Sequence, residues 1–162
     1  MDLQSLMRSG QTVRLDFDST FEMLDLVQVI SDHIARLAGL DEEARHWVNV
    51  AVRESVINAI KHGNRNDVGK RVHVEFTPLE AAESPQGVLI RVRDEGPGFD
   101  PEKVPDPLAP ENLLKGSGRG IFLIRSFMDE VAVRRAPEGG MEVLMVKRAS
   151  APNRTEALSA SE

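Results

Sequence analysis

Glu54 and Asn58 stand four residues apart in a stretch, Ala44 to His62, that is otherwise largely apolar, with Trp47, Val48, Val50, Ala51, Val52, Val56, Ile57, Ala59 and Ile60 around them. On a helix of about 3.6 residues per turn that spacing sets the two side chains about 40° apart, and Lys61 falls on the same stripe. One face thus carries a carboxylate, an amide and an ammonium. Apolar surroundings disfavour a charged carboxylate and raise its pKa, which suits a general base working near neutral pH. The amide oxygen of Asn58 is a hard, neutral donor, fit for a Mg²⁺ ion whose other positions are filled by phosphate oxygens and water. A polar i, i+4 pair on a solvated helix edge has the same spacing, so the pair alone does not decide between the two.

Two glycine clusters follow. In Asp94-Glu-Gly-Pro-Gly-Phe99, an aspartate at the end of an apolar run can accept a hydrogen bond from an adenine amino group. Such a charge-assisted contact is worth roughly 1.5–3 kcal/mol, and guanine would not reproduce it. Gly96 and Gly98 let the backbone approach a flat ring or adopt positive φ. In Gly116-Ser-Gly-Arg-Gly-Ile121, glycines ahead of a helix expose N–H groups to an anion, and Lys115 and Arg119 add positive charge. This is neither a Walker A loop nor a dinucleotide fingerprint, because the lysine-threonine ending and the preceding strand are missing. Taken singly, the first cluster also fits a plain turn and the second a flexible linker.

The elements that must position these residues are legible in the hydrophobic periodicity. Thr12 to Phe17 alternates as a half-buried strand, and Met23, Leu24, Leu26, Val27, Ile30, Ile34 and Leu37 predict a helix over 20–38, with Asp18 and Ser19 as N-caps and Gly39 as its stop. Acidic Asp41, Glu42 and Glu43 open a second helix that runs to about His62. Strands are predicted at 71–76 and 88–93, forming a hairpin, and at 130–135 and 141–147, joined by a turn at 137–140. Between Glu95 and Gly120 lie five prolines and five glycines, a long irregular span of the kind that is usually functional. A short helix over 121–128 follows it. Residues 1–10 are expected to be a flexible N-terminus, 11–148 one domain, and 149–162 a disordered tail.

Composition limits the function classes. A chain of 162 residues, 41% hydrophobic, supports one domain with a real core. With no cysteine, thiol catalysis, disulfides and zinc-thiolate sites are excluded, and the four histidines, His33, His46, His62 and His73, lack metal-ligand spacing. His62 is read as packing beside a ligand or capping its helix, and Trp47 as core. A net charge of −6 without basic clusters argues against nucleic acid as a partner. No apolar run approaches the roughly 18 residues of a membrane span, so a soluble cytoplasmic protein is expected.

In combination the motifs are far more specific than any one. E-x-x-x-N-A-x-K-H-G on a helix, D-x-G-x-G after a strand, a proline-rich lid and G-x-G-x-G before a helix closely resemble the N, G1 and G2 boxes of the GHKL ATPases. The run Asn58-Ala-Ile-Lys-His-Gly-Asn64 and the ending Gly120 to Val131 look most like the anti-sigma-factor serine kinases. The resemblance implies an α+β two-layer sandwich of the Bergerat ATP-binding type, with a mixed, mostly antiparallel sheet and helices on one face. It implies ATP and Mg²⁺ as cofactors, a sigma factor and an anti-anti-sigma antagonist as partners, and a homodimer. By the same likeness Glu54 takes the proton from a substrate serine, Asn58 holds Mg²⁺, and Asp94 reads adenine in a pocket shaped by Gly96 and Gly98. Gly118 and Gly120 meet the phosphates, with Lys61, Lys115 and Arg119 as phosphate-side cations. One departure stands out: sporulation-type kinases carry an arginine where this chain has Gly116. That keeps a second reading open, an ATP-gated binding module that regulates its partner without productive transfer. A histidine-kinase module is disfavoured, since the residues before the second helix cannot supply the helical pair that would bear an acceptor histidine.

Overall fold

The computed structural model describes residues 12–79, 86–98 and 119–150. Five strands form a single sheet: β1 (Val13–Asp18), β2 (Arg71–Pro78), β3 (Gly87–Arg93), β4 (Glu130–Arg135) and β5 (Met141–Arg148). Their order is β1-β2-β3-β5-β4, and the sheet expected to be mixed and mostly antiparallel is antiparallel at all four pairings. Three helices cover one face: α1 (Leu24–Leu37), α2 (Glu42–Asn58) and α3 (Arg119–Phe127). The expected hairpin of β2 and β3 is present, and each strand lies within two residues of its sequence-predicted bounds.

Strand alternation decides which face meets the helices. Along β2, Val72, Val74 and Phe76 are buried while His73, Glu75 and Thr77 point the other way. Ile90 and Met145, paired across β3 and β5, extend the same apolar surface. Val27 and Ile34 from α1, Val48, Val52 and Val56 from α2, and Ile124 from α3 pack onto it. Each such side chain contributes about 1.5–3 kcal/mol on leaving water.

The opposite face carries ion pairs in place of a second helical layer. Arg91 on β3 bonds Glu142 on β5 and grips Glu138 through two nitrogens, at 2.9 and 3.1 Å. Arg134 on β4 reaches the other oxygen of Glu142 at 2.6 Å. Glu142 is fully buried beneath these two guanidinium groups, which supply the pairing that a buried carboxylate requires. The Arg91 hydrogen bonds hold the Glu138 carboxyl down at about 2, and the same contacts, led by Glu138, raise the guanidinium pKa further.

Two local expectations are corrected. Ser19 caps no helix: it is buried, its hydroxyl donates to the Lys70 carbonyl at 2.7 Å, and α1 begins after a 3-10 turn at Phe21–Met23 with no side-chain cap. Long-range packing has outcompeted the local capping propensity. The second helix is also not α-helical to His62. After Asn58 it widens into a π-helical turn, Ala59–Gly63, closed by Asn64 N–H donating to the Ala59 carbonyl at 2.8 Å. Asp41 does cap this helix, its carboxylate accepting from Ala44 N–H at 2.8 Å. Trp47, read as core, is half-buried at the seam of α2 and α3, where it stacks on Phe127 with ring centroids 3.4 Å apart.

Candidate functional site

Where α2 gives way to the π turn, a cavity of about 270 Å³ opens between the helices and the sheet. Its apolar wall comes from Val92, Ile124, Val133, Met141 and Val143; its polar positions include Asn58, His62, Arg65 and Asp94. A largely apolar cleft with a few convergent polar groups is the usual form of a small-molecule site. Asn58, Asp94 and Gly98, all singled out from the sequence, line this one space.

Asp94 follows directly on β3 and is 6% exposed. Its Oδ1 accepts from the backbone N–H groups of Gly96 at 2.9 Å and Met141 at 3.1 Å, while its own N–H donates to the Met141 carbonyl at 3.0 Å. Oδ2 accepts no hydrogen bond from the described residues, so one oxygen is spoken for and the other is left for a ligand donor. Glycine is needed on three sides of this carboxylate. A methyl group at Gly63 would overlap Oδ2, one at Gly140, whose φ is +81°, would overlap the Asp94 carbonyl, and one at Gly96 would overlap the Gly63 carbonyl. Gly96 therefore acts by permitting this contact and is absent from the cavity lining, whereas Gly98, at φ +72°, reaches it.

The remaining sequence-predicted residues are placed as follows. Glu54 is half-buried one turn before Asn58 and lies outside the cavity lining. Lys61 is exposed and also outside it, because the wider π turn breaks the α-helical stripe and turns His62 to the cavity instead. Arg119 and Gly120 form the first residues of α3. Lys115, Gly116 and Gly118, with most of the proline-rich lid, lie outside the described residues, as do the expected N-terminus 1–10, residue 11 of the expected domain, and 151–162 of the expected tail.

Helix direction brings the start of α3 to the site. The Trp47–Phe127 stack joins the early part of α2 to the end of α3, and Ile124 shares the cavity with Ser55 and Asn58, so the helices run in opposite directions. The N-terminus of α3, Arg119, therefore lies away from Trp47 and toward the Asn58 end of α2.

Two participants escaped the sequence reading, whereas His62, read as packing beside a ligand or capping its helix, lines the cavity. Arg65 lines it too, in an exposed left-handed turn with Asn66, at φ 54° and 59°. Asn64, 1% exposed, links three chain segments: Nδ2 donates to Ser19 Oγ at 2.7 Å and the Arg71 carbonyl at 3.0 Å, and Oδ1 accepts from Glu95 N–H at 2.7 Å. No local sequence pattern marks Arg65, because the left-handed conformation it shares with Asn66 is one that Asn tolerates and Arg seldom adopts. Glu95 is held in turn by its side chain: Oε1 accepts from Arg71 N–H at 2.8 Å, and Oε2 meets His73 Nε2 at 2.8 Å, His73 being paired with Asp16 on its other nitrogen. The Arg71 N–H and then His73 keep its carboxyl below the usual carboxylate range.

Among the described residues, no group of three or more His, Asp or Glu side chains could hold a metal, and no helix is long and apolar enough to cross a membrane. A cation here would depend on Asn58 and on oxygens brought by the ligand itself, which fits a metal that arrives with phosphates.

Comparison with known proteins agrees with this geometry. The sequence model of a family described as histidine kinase-like ATPase domain matches residues 17–147. The serine-protein kinase RsbW of Staphylococcus aureus is 30% identical over 143 residues, covering 83% of this chain and 85% of that protein. An anti-sigma F factor of Oceanobacillus iheyensis is 38% identical over 107 residues, 64% of this chain and 68% of its own. The fold is also that of a crystal structure of the RsbU and RsbW domains of a Mycobacterium tuberculosis protein, at a TM-score of 0.59 and 19% identity. That alignment covers 88% of this chain and 33% of the other, so the chain spans about a third of the solved protein.

Proposed function

The chain belongs to the histidine kinase-like ATPases, and from that premise we propose that it is an ATP-dependent serine/threonine protein kinase and anti-sigma factor. It phosphorylates an anti-anti-sigma antagonist and sequesters a sigma factor, acting in the cytoplasm as a homodimer. The observation that carries the reading is the cavity wall itself, with Asp94, whose Oδ2 accepts no hydrogen bond from the described residues, at one position and the Asn58 amide at another.

Asp94 Oδ2 accepts the adenine amino group, and the apolar wall of Val92, Ile124, Met141 and Val143 covers the ring. Asn58 contributes the protein's ligand to Mg²⁺. When bound, Mg²⁺ neutralises charge on the phosphates. Glu54, outside the base pocket and one helical turn before Asn58, receives the proton of the substrate hydroxyl. The backbone N–H groups at the glycine-rich start of α3 face the phosphates, assisted by Lys115, Gly118, Arg119 and Gly120, and Lys61 adds charge from the solvent side. Phosphoryl transfer asks for this kind of positioning and charge neutralisation more than for covalent chemistry by the protein.

Nucleotide titration tests the pocket. ATP is expected to bind at least about tenfold more tightly than GTP, and chelation of Mg²⁺ is expected to weaken the binding of both. Equal affinity for the two bases, with or without magnesium, would overturn the assignment. Labelled ATP incubated with candidate antagonists tests transfer. Capture of a partner that requires ATP yet leaves it unlabelled would favour the gated-module reading instead.

A further inference from the structure

Resting on the nucleotide-binding reading above, we infer that Asn64 is a positioning residue that fixes the base-reading carboxylate of Asp94 and thereby sets selectivity for adenine. Asn64 is not itself among the residues that line the cavity, so its action is through its neighbours. Two short segments meet at this point, Gly63–Asn64 from the end of the π turn and Asp94–Gly96 from the end of β3. Their approach is so close that a side chain at either Gly63 or Gly96 would overlap the other segment. Among the described residues, the hydrogen bond between them is Glu95 N–H to Asn64 Oδ1, at 2.7 Å.

A bond this close to a carboxylate matters because direction is what distinguishes bases. Met141 fixes Asp94 from the β5 side, through N–H to Oδ1 and through its carbonyl. The β2 side is fixed one residue later, at Glu95, by Asn64. With both donor hydrogens given to Ser19 and the Arg71 carbonyl, the Asn64 amide cannot rotate, so Oδ1 is aimed at Glu95 and nowhere else. Asn64 also follows Gly63, the residue against which Oδ2 rests. One buried amide therefore holds the floor under Asp94 and the chain beyond it in a single frame. Were that frame loosened, Oδ2 would sample orientations in which an adenine amino group and a guanine carbonyl are distinguished less well.

The test compares the full chain with Asn64→Leu and Asn64→Asp in steady-state kinase assays with ATP and GTP, alongside thermal unfolding. Asn64→Leu is expected to raise KM for ATP roughly tenfold and to lower the ATP-over-GTP preference by a similar factor, with kcat at saturating ATP within about twofold of the parent. Asn64→Asp keeps the acceptor for Glu95 but turns an oxygen toward the Arg71 carbonyl, so an intermediate rise is expected. A lower Tm with KM and base preference unchanged would make Asn64 a purely structural staple and overturn the inference. Should Asn64→Leu fail to fold, Ser19→Ala removes one of the three contacts, with about a threefold change expected and an unchanged KM and preference again overturning it. The parent protein separates the two layers of argument. If it fails to prefer ATP, the functional reading falls; if parent and variants discriminate equally well, only the role of Asn64 does.

Discussion

Asp94→Asn is expected to lower ATP affinity by about a hundredfold while leaving the weak binding of GTP unchanged or improved. The backbone N–H groups of Gly96 and Met141 both point at Oδ1, so an asparagine must keep its carbonyl oxygen there and place its NH₂ where Oδ2 was. A donor then faces the adenine amino donor. Loss of a hydrogen bond to a charged acceptor costs roughly 1.5–3 kcal/mol, a factor of about 10 to 150, and the opposed donors keep the effect toward the upper end. Guanine presents a carbonyl at the corresponding position and has no such conflict. Isothermal titration with both nucleotides in the presence of Mg²⁺ reads the result, and an ATP affinity unchanged by the substitution would remove Asp94 from base recognition.

Glu54→Gln separates chemistry from binding. The side chain is half-buried on α2 but outside the lining of the base pocket, one turn from Asn58. Its removal should leave the dissociation constant for ATP within about twofold and reduce transfer to the antagonist by about 10²–10⁴, the usual contribution of a positioned general base. Single-turnover transfer measured at saturating ATP is the suitable readout. Undiminished transfer would exclude Glu54 as the base, and a large loss of ATP affinity would mean that it acts on the nucleotide.

What could be read from the sequence was whatever short-range patterning controls. β2 was legible because it alternates between an apolar core face and a polar outer face, as Val72, His73, Val74 and Glu75 do, and β3 and β5 because they are short apolar runs bounded by turn residues. Asn58 and Asp94 were legible because each belongs to a compact local motif. Other features escaped because their causes lie far along the chain. Ser19 looked like a cap, yet its partners are Lys70 and Asn64, 51 and 45 residues away. The role of Asn64 depends on Glu95, 31 residues on. Hydrophobic periodicity does not separate an α turn from a π turn, so Lys61 was assigned to a stripe that the wider turn breaks. Glycines beside Asp94 were recognised only in part, since Gly63 and Gly140 approach it from two other elements.

Trp47 is the only indole in the chain, and its ring lies parallel to that of Phe127, within 1°. The protein therefore carries its own optical gauge at the end of α3 farthest from the glycine-rich turn. A red shift of its emission when ATP is added would register that helix lifting away along its whole length; constant emission would mean that α3 pivots about an anchored heel while its other end adjusts.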